Sequence, residues 1–161
     1  MTDGGGNPIQ ARFVVNLIED DRNRLLFLHR STDSKRAPGK WGQCSGRIEN
    51  GETPEQAATR EIAEELGEDI RLELVRPFGP VRDRLYGGAF EFFLFHFRYA
   101  GGAIRLNHEH TDSAWIARED FRNYDVMPGM DEDILYLGIW PREWLREAYL
   151  PHPGDGASTR A

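Results

Sequence analysis

One cysteine in 161 residues, Cys44, excludes an internal disulfide framework and fits a reducing cytoplasm. Long hydrophobic runs are missing too: no stretch approaches the roughly 20 apolar residues that a membrane-spanning helix needs, so no membrane partner is expected. The N-terminus, Met1-Thr2-Asp3-Gly4-Gly5-Gly6, has neither a basic start nor an apolar signal core. Basic charge is outnumbered, with 20 Lys and Arg against 27 Asp and Glu. The formal net charge of −7 argues against broad binding to a nucleic-acid backbone, which needs a concentrated basic surface. A small phosphorylated ligand stays compatible, because a bound cation inverts the local field. One Cys and scattered His give no zinc-ligand spacing, and no repeat of solenoid period is present.

What is there suits one domain with a real core. The expected organisation is a flexible lead-in over 1–10, a folded domain over 11–150 and a disordered Pro/Gly/Ser tail over 151–161. Strands are expected over 11–19 and 24–29 around the polar turn 20–23, then a loop over 31–40 and an extended piece over 41–48. Extended structure restarts over 71–76. The Phe-rich run 89–99 is the strongest strand signal, with Gly101-Gly102 as a hairpin candidate before a strand over 103–106. A strand over 113–117, a short helix over 118–123 and helices over 130–137 and 141–150 complete the pattern. Strands interleaved with helices favour an α/β or α+β layered domain.

Residues 46–67 carry the chemistry. Thr53 is suited to cap a helix, Pro54 to its first position and Gln56 to a capping box, while Gly67 marks the end. At about 100° per residue, Glu61, Glu64 and Glu65 fall on one face beside an apolar stripe of Ala58, Ile62 and Leu66. Like charges at these spacings destabilise a bare helix by roughly 0.2–0.5 kcal/mol per pair, so a cation or a nearby base is expected to compensate; hard oxygen donors suit Mg²⁺ or Mn²⁺. A lone Glu-x-x-Glu-Glu is the ordinary pattern of a solvated helix face. The complete spacing is not: Gly46, five residues, Glu52, seven residues, Arg60-Glu61, two residues, Glu64-Glu65, one residue, Gly67.

That spacing resembles the Nudix box, and weaker similarity runs from about 11 to 117. The resemblance implies a Nudix hydrolase domain over 11–150 with the family's α-β-α sandwich around a mixed sheet. It implies that Glu61, Glu64 and Glu65 ligate Mg²⁺ or Mn²⁺, that the Gly46 carbonyl adds a ligand, and that Glu52 and Arg60 hold the arrangement by ion pairing. It further implies a metal-dependent pyrophosphohydrolase that cleaves a phosphoanhydride in a nucleoside diphosphate linked to another group. One position departs from the box: Glu68 stands where the family prefers an apolar residue, and Ile70 is expected to take over that packing.

A fourth carboxylate is expected from Glu109, in the loop before the Trp115 strand, ahead of Asp112; His108 and His110 read as loop residues. Arg30, Lys35, Arg36 and Lys40 precede the box and suit substrate phosphates through charge-assisted hydrogen bonds. Arg82, Arg84 and Tyr86 lie where the family often places substrate-selecting residues. The Tyr86 spacing is similar to that in dinucleoside polyphosphate hydrolases, whereas the proline position of ADP-ribose hydrolases is not met. Arg84 and Tyr86 therefore join Arg30, Lys35 and Lys40 as candidate substrate-binding residues. Phe-rich 89–99 reads as core rather than a base-stacking platform. A cytoplasmic location and a small phosphorylated substrate are expected, and a homodimer is left open.

Two alternatives remain. The segment Trp41-Gly42-Gln43-Cys44-Ser45-Gly46 resembles the surroundings of the catalytic cysteine in isopentenyl-diphosphate isomerases, but there the cysteine directly precedes the box glycine, and here Ser45 does. A one-residue shift in a strand turns the side chain to the other face, which makes Cys44 a buried thiol. The other alternative is a non-catalytic nucleotide-binding domain that keeps the box.

Overall fold

The computed structural model describes residues 8–151. The two terminal segments expected to lack structure lie outside the described residues, apart from 8–10 and 151. Strands β1 (Ala11–Glu19), β2 (Leu25–Arg30), β3 (Trp41–Gly42), β4 (Cys44–Arg47), β5 (Arg71–Arg82), β6 (Phe90–Gly101) and β7 (His110–Ile116) form one seven-stranded mixed sheet, with helices α1 (Pro54–Leu66) and α2 (Met130–Tyr136). The main path runs β3-β2-β1-β6-β5, β4 pairs with β1, and β7 pairs with β2. Among the strand pairs of the described residues only β1 and β6 run parallel, in register from Ala11↔Phe90 to Glu19↔Arg98.

Both faces of the sheet are covered, and the alternation of side chains sorts two cores. Val15, Leu17, Leu25, Phe27 and Leu94 pack with Ile134, Trp140 and Leu145 on the α2 side. Ile18, Leu26, Leu28 and Cys44 pack with Leu66 of α1, and Val14 and Phe95 pack with Ala57 and Ala58. β1 is buried on both faces over Val14 to Glu19: Val14, Val15, Leu17 and Ile18 supply its apolar surface, and the polar Asn16 and Glu19 are buried with them.

The sheet splits where the site forms. β1 and β2 meet in register only at Glu19↔Leu25. Beyond that point β1 pairs with β4, from Phe13↔Arg47 to Asn16↔Cys44, while β2 pairs with β7, from Leu25↔Ile116 to Arg30↔His110.

Three elements differ from the sequence expectation, each for a tertiary reason. No strand forms over 103–106. There the Arg105 N–H donates to the Leu66 carbonyl at 2.8 Å, satisfying the end of α1, and a Cβ on Gly102 would lie 2.0 Å from the Asp69 carbonyl oxygen. β5 continues through Pro77 and Pro80 to Arg82 as an irregular edge strand, where a missing N–H is tolerated. The helix expected over 141–150 is two 3₁₀ turns, Arg142–Trp144 and Glu147–Tyr149. Arg122 donates to the Glu143 and Leu145 carbonyls, and the Arg146 N–H donates to Asp131 Oδ2 at 2.8 Å, so the groups that would close helical turns are bonded elsewhere.

Candidate active site

The box helix begins and ends as its residues dictate. Thr53 Oγ1 accepts from the Gln56 N–H, the Gln56 side chain accepts from the Thr53 N–H, and Pro54 occupies the first turn. Such a cap is worth about 1 kcal/mol. Ile70 packs beside Leu66 as expected of it. The helix start thereby fixes which residues of the next two turns lie over β4.

Glu61 rests directly on Gly46: a Cβ at that position would lie 2.1 Å from Glu61 Cδ and Oε1. The glycine is required by this close approach rather than by its backbone angle. One turn on, Glu65 is 1% exposed and its Oε1 accepts from the Ser45 N–H at 3.3 Å. Burial, a side-chain hydrogen bond with Glu61, and the charges of Glu61 and then Glu109 push the Glu65 carboxyl well above the usual carboxylate range. Two carboxylates buried in mutual contact need a proton or a cation to offset their charge.

Arg60 ties this pair to the box loop. Its Nε and Nη2 donate to the two oxygens of Glu52 at 2.6 and 3.0 Å, a bidentate fork, and Nη2 also donates to the Arg47 carbonyl at 2.8 Å. Nη1 donates to Glu61 Oε1 at 2.6 Å and lies 3.4 Å from Glu64 Oε2. The hydrogen bonds from Arg60 and then from the Glu49 N–H hold the Glu52 carboxyl down at about 2, and Arg60 is raised in turn, first through Glu52. Glu64 is the outermost of the three helix carboxylates, its side chain 49% exposed.

Among the described residues no three Asp, Glu, His or Cys side chains are already closed around a cation position. The donor chemistry nevertheless fits a hard divalent ion: the converging groups are carboxylates, and Glu65 is held in a state that a cation would relieve. A shallow cleft of about 370 Å³ beside the box loop has Arg12, Arg47, Glu49 and Glu52 in its wall but neither Glu61 nor Glu65.

The other candidates divide. Glu109 is exposed on the turn before β7, where its Oε1 accepts from Asn107 Nδ2 at 3.4 Å and its charge acts on both Glu65 and Arg30. Arg30, on β2, is close enough to feel the charges of Glu65 and Glu109, while its Nε donates to the Arg36 carbonyl and its Nη2 to Ser34 Oγ. Lys35 is exposed in the 31–40 loop. Lys40 pairs with Asp125 at 2.9 Å, and Arg84 pairs with Glu132 at 2.9 Å and donates to the Tyr149 carbonyl. Tyr86 is 63% exposed, edge-on to Phe90. Sequence reasoning therefore gathered Glu61, Glu64, Glu65, Glu52, Arg60, Gly46, Glu109 and Arg30 around one region. Lys40, Arg84 and Tyr86 make their contacts with other parts of the chain.

His110, read from the sequence as a loop residue, lies in a strand instead. It is the first residue of β7, directly opposite Arg30 and 5% exposed, and neither ring nitrogen has a hydrogen-bond partner. Burial and then the Arg30 charge lower its pKa to about 4. Extending the expected strand back from 113 to 110 would have placed His110 within it, but not opposite Arg30.

Cys44 faces α1, 2% exposed, its sulfur accepting from Asn16 Nδ2 at 3.8 Å. Burial and then the Glu65 charge push its thiol well above the ordinary range, against thiolate chemistry.

The family model of the NUDIX domain matches residues 9–135. The nucleoside triphosphatase NudI of Escherichia coli O139:H28 (strain E24377A / ETEC) is 32% identical over 126 residues, covering 73% of this chain and 89% of that protein. The MutT protein from Methanosarcina mazei Go1 superposes with a TM-score of 0.62 at 22% identity, over 80% of this chain and 91% of that one, a likeness of fold. The ORF135 protein of E. coli gives a TM-score of 0.57 at 26% identity, over 86% and 92%. With the box, its helix and the mixed sheet in place, the chain belongs to the NUDIX family and is a Nudix pyrophosphohydrolase.

Proposed function

We propose that this enzyme hydrolyses a phosphoanhydride bond in a nucleoside diphosphate linked to another group, with nucleoside triphosphates as the first substrate class, in the presence of Mg²⁺ or Mn²⁺. The single observation that carries the reading is the seating of two buried helix carboxylates on adjacent strand residues, Glu61 on Gly46 and Glu65 on the Ser45 N–H, with Arg60 bridging Glu61 to Glu52. The 32% identity to a nucleoside triphosphatase favours the substrate class. A divalent cation at such a site lowers the pKa of the attacking water and offsets charge on the phosphoryl oxygens.

The chain's own groups do the rest. Glu61, Glu64 and Glu65, with the Gly46 carbonyl and Glu109, would hold the cation; a carboxylate among them takes the proton of the attacking water. Glu52 and Arg60 act through Glu61, holding its carboxylate over Gly46 rather than touching substrate. Arg30 is set to receive a phosphate oxygen, because its position between Ser34 and Arg36 is already fixed.

Glu64→Gln tests this. Its exposed pairing with Arg60 contributes little to stability, about 0–1 kcal/mol, so the variant should fold normally. Hydrolysis, followed as phosphate and pyrophosphate release across nucleoside triphosphates, sugar nucleotides, dinucleoside polyphosphates and ADP-ribose, should fall by orders of magnitude. Full Mg²⁺-dependent turnover by Glu64→Gln would refute the assignment.

A further inference from the structure

Most buried polar groups in the chain have a partner, and the exceptions mark positions where something else is accommodated. His110 is the strongest of these exceptions, with both ring nitrogens unpartnered at 5% exposure. Asn16 and Gln43 each leave only an oxygen unmet while their amide nitrogens donate to Ala58 and Leu26 carbonyls.

His110 is not an isolated core histidine. It stands directly across the β2–β7 ladder from Arg30, and paired residues project from the same face of a sheet. The Arg30 guanidinium is anchored from behind by the Arg36 carbonyl and Ser34 Oγ, and no bond of its Nη1 appears among the described residues. Arg30 feels the charges of Glu65 and Glu109, so the His110–Arg30 pair borders the carboxylate site.

We propose that His110 and Arg30 form a binding subsite for the phosphate oxygens of the substrate, with a His110 ring N–H and an Arg30 N–H as its two donors. The inference rests on the hydrolase reading above. An anion suits the position better than a cation does: the fixed guanidinium repels a metal ion but adds to the attraction for phosphate. A neutral imidazole offers one N–H donor, the group that a phosphate oxygen accepts from. The cost of leaving the ring unsatisfied in the free protein is then part of the site, recovered only when the diphosphate arrives.

The test uses the full chain, Mg²⁺ and methylenediphosphonate, a diphosphate analogue that cannot be hydrolysed. By calorimetry, His110→Leu should weaken its binding about tenfold or more, and His110→Asn, which keeps an N–H donor, should recover part of the loss. Because the leucine removes two unmet polar atoms, that variant should also melt about 2–4 °C higher. In the wild-type protein, the ¹⁵N resonances of the His110 ring should move on saturation with the analogue, a readout that needs no variant to fold.

Ring resonances that stay fixed at saturation, as they would if an ordered water filled the position, overturn the proposal. So does His110→Leu binding within twofold of wild type, or a wild type that hydrolyses nucleotides yet does not bind the analogue. A wild type that hydrolyses none of the substrates tested with Mg²⁺ would instead sink the hydrolase reading itself.

Discussion

Glu65→Gln separates the electrostatics of this site from its packing. The side chain is 1% exposed and nearly isosteric with glutamine, so the substitution removes a titrating group and leaves the volume unchanged. Burial first, then Glu61 and Glu109, raise the Glu65 carboxyl in the folded protein. A carboxyl that titrates higher folded than unfolded contributes stability that is complete below the unfolded value, about 4.3, and is lost as pH rises toward the folded value. Between there and about pH 7 the loss accumulates at 1.36 kcal/mol per unit, about 3–4 kcal/mol in all. The metal-free wild type should therefore lose stability between about pH 4.5 and pH 7 relative to Glu65→Gln, whose glutamine carries no proton to lose. Urea unfolding in chelator, at half-unit pH steps, measures the gap. Adding Mg²⁺ should close it from the wild-type side only, with proton release, because the cation replaces the proton at the carboxylate pair. Parallel pH profiles for the two proteins, within about 0.5 kcal/mol throughout, would show that Glu65 titrates as an ordinary carboxylate and would refute the reasoning.

Gly46→Ala places a Cβ 2.1 Å from the Glu61 carboxylate, the far end of a flexible side chain, so the fold should survive while the carboxylate swings away. Turnover should drop by about 100-fold, the order expected for a group misplaced by about 1 Å, and Mn²⁺ affinity measured by electron paramagnetic resonance should fall with it; unchanged affinity would contradict the cradle. Asp131→Asn should cost about 3–5 kcal/mol in urea unfolding, because Asp131 is fully buried and holds Arg146 at 2.7 Å; a change under about 1 kcal/mol would mean the pair is not what folds the C-terminal turns.

Arg146 shows why those turns were illegible beforehand. Over 141–150 the spacing of Trp144, Leu145 and Ala148 fits a helix as well as it fits two 3₁₀ turns. The choice is made by Asp131 and Arg122, which are distant in sequence and bond the backbone groups a helix would need. The same holds at 103–106, where a strand-like sequence serves as the cap of α1.

The sequence by itself determined the box helix, its two ends and the face on which Glu61, Glu64 and Glu65 gather, because these follow from helical spacing and local capping; the Glu52–Arg60 partnership followed only from the resemblance to the Nudix box. Only the tertiary structure decided that Glu61 lies on Gly46, that Glu65 is buried against it while Glu64 stays at the surface, and that Arg30 and His110 approach from the other half of the split sheet. Burial and long-range pairing depend on which strands meet, and no local period encodes that. Charge placement on one helix is a matter of 3.6 residues per turn; the state of those charges is a matter of what the rest of the chain brings against them.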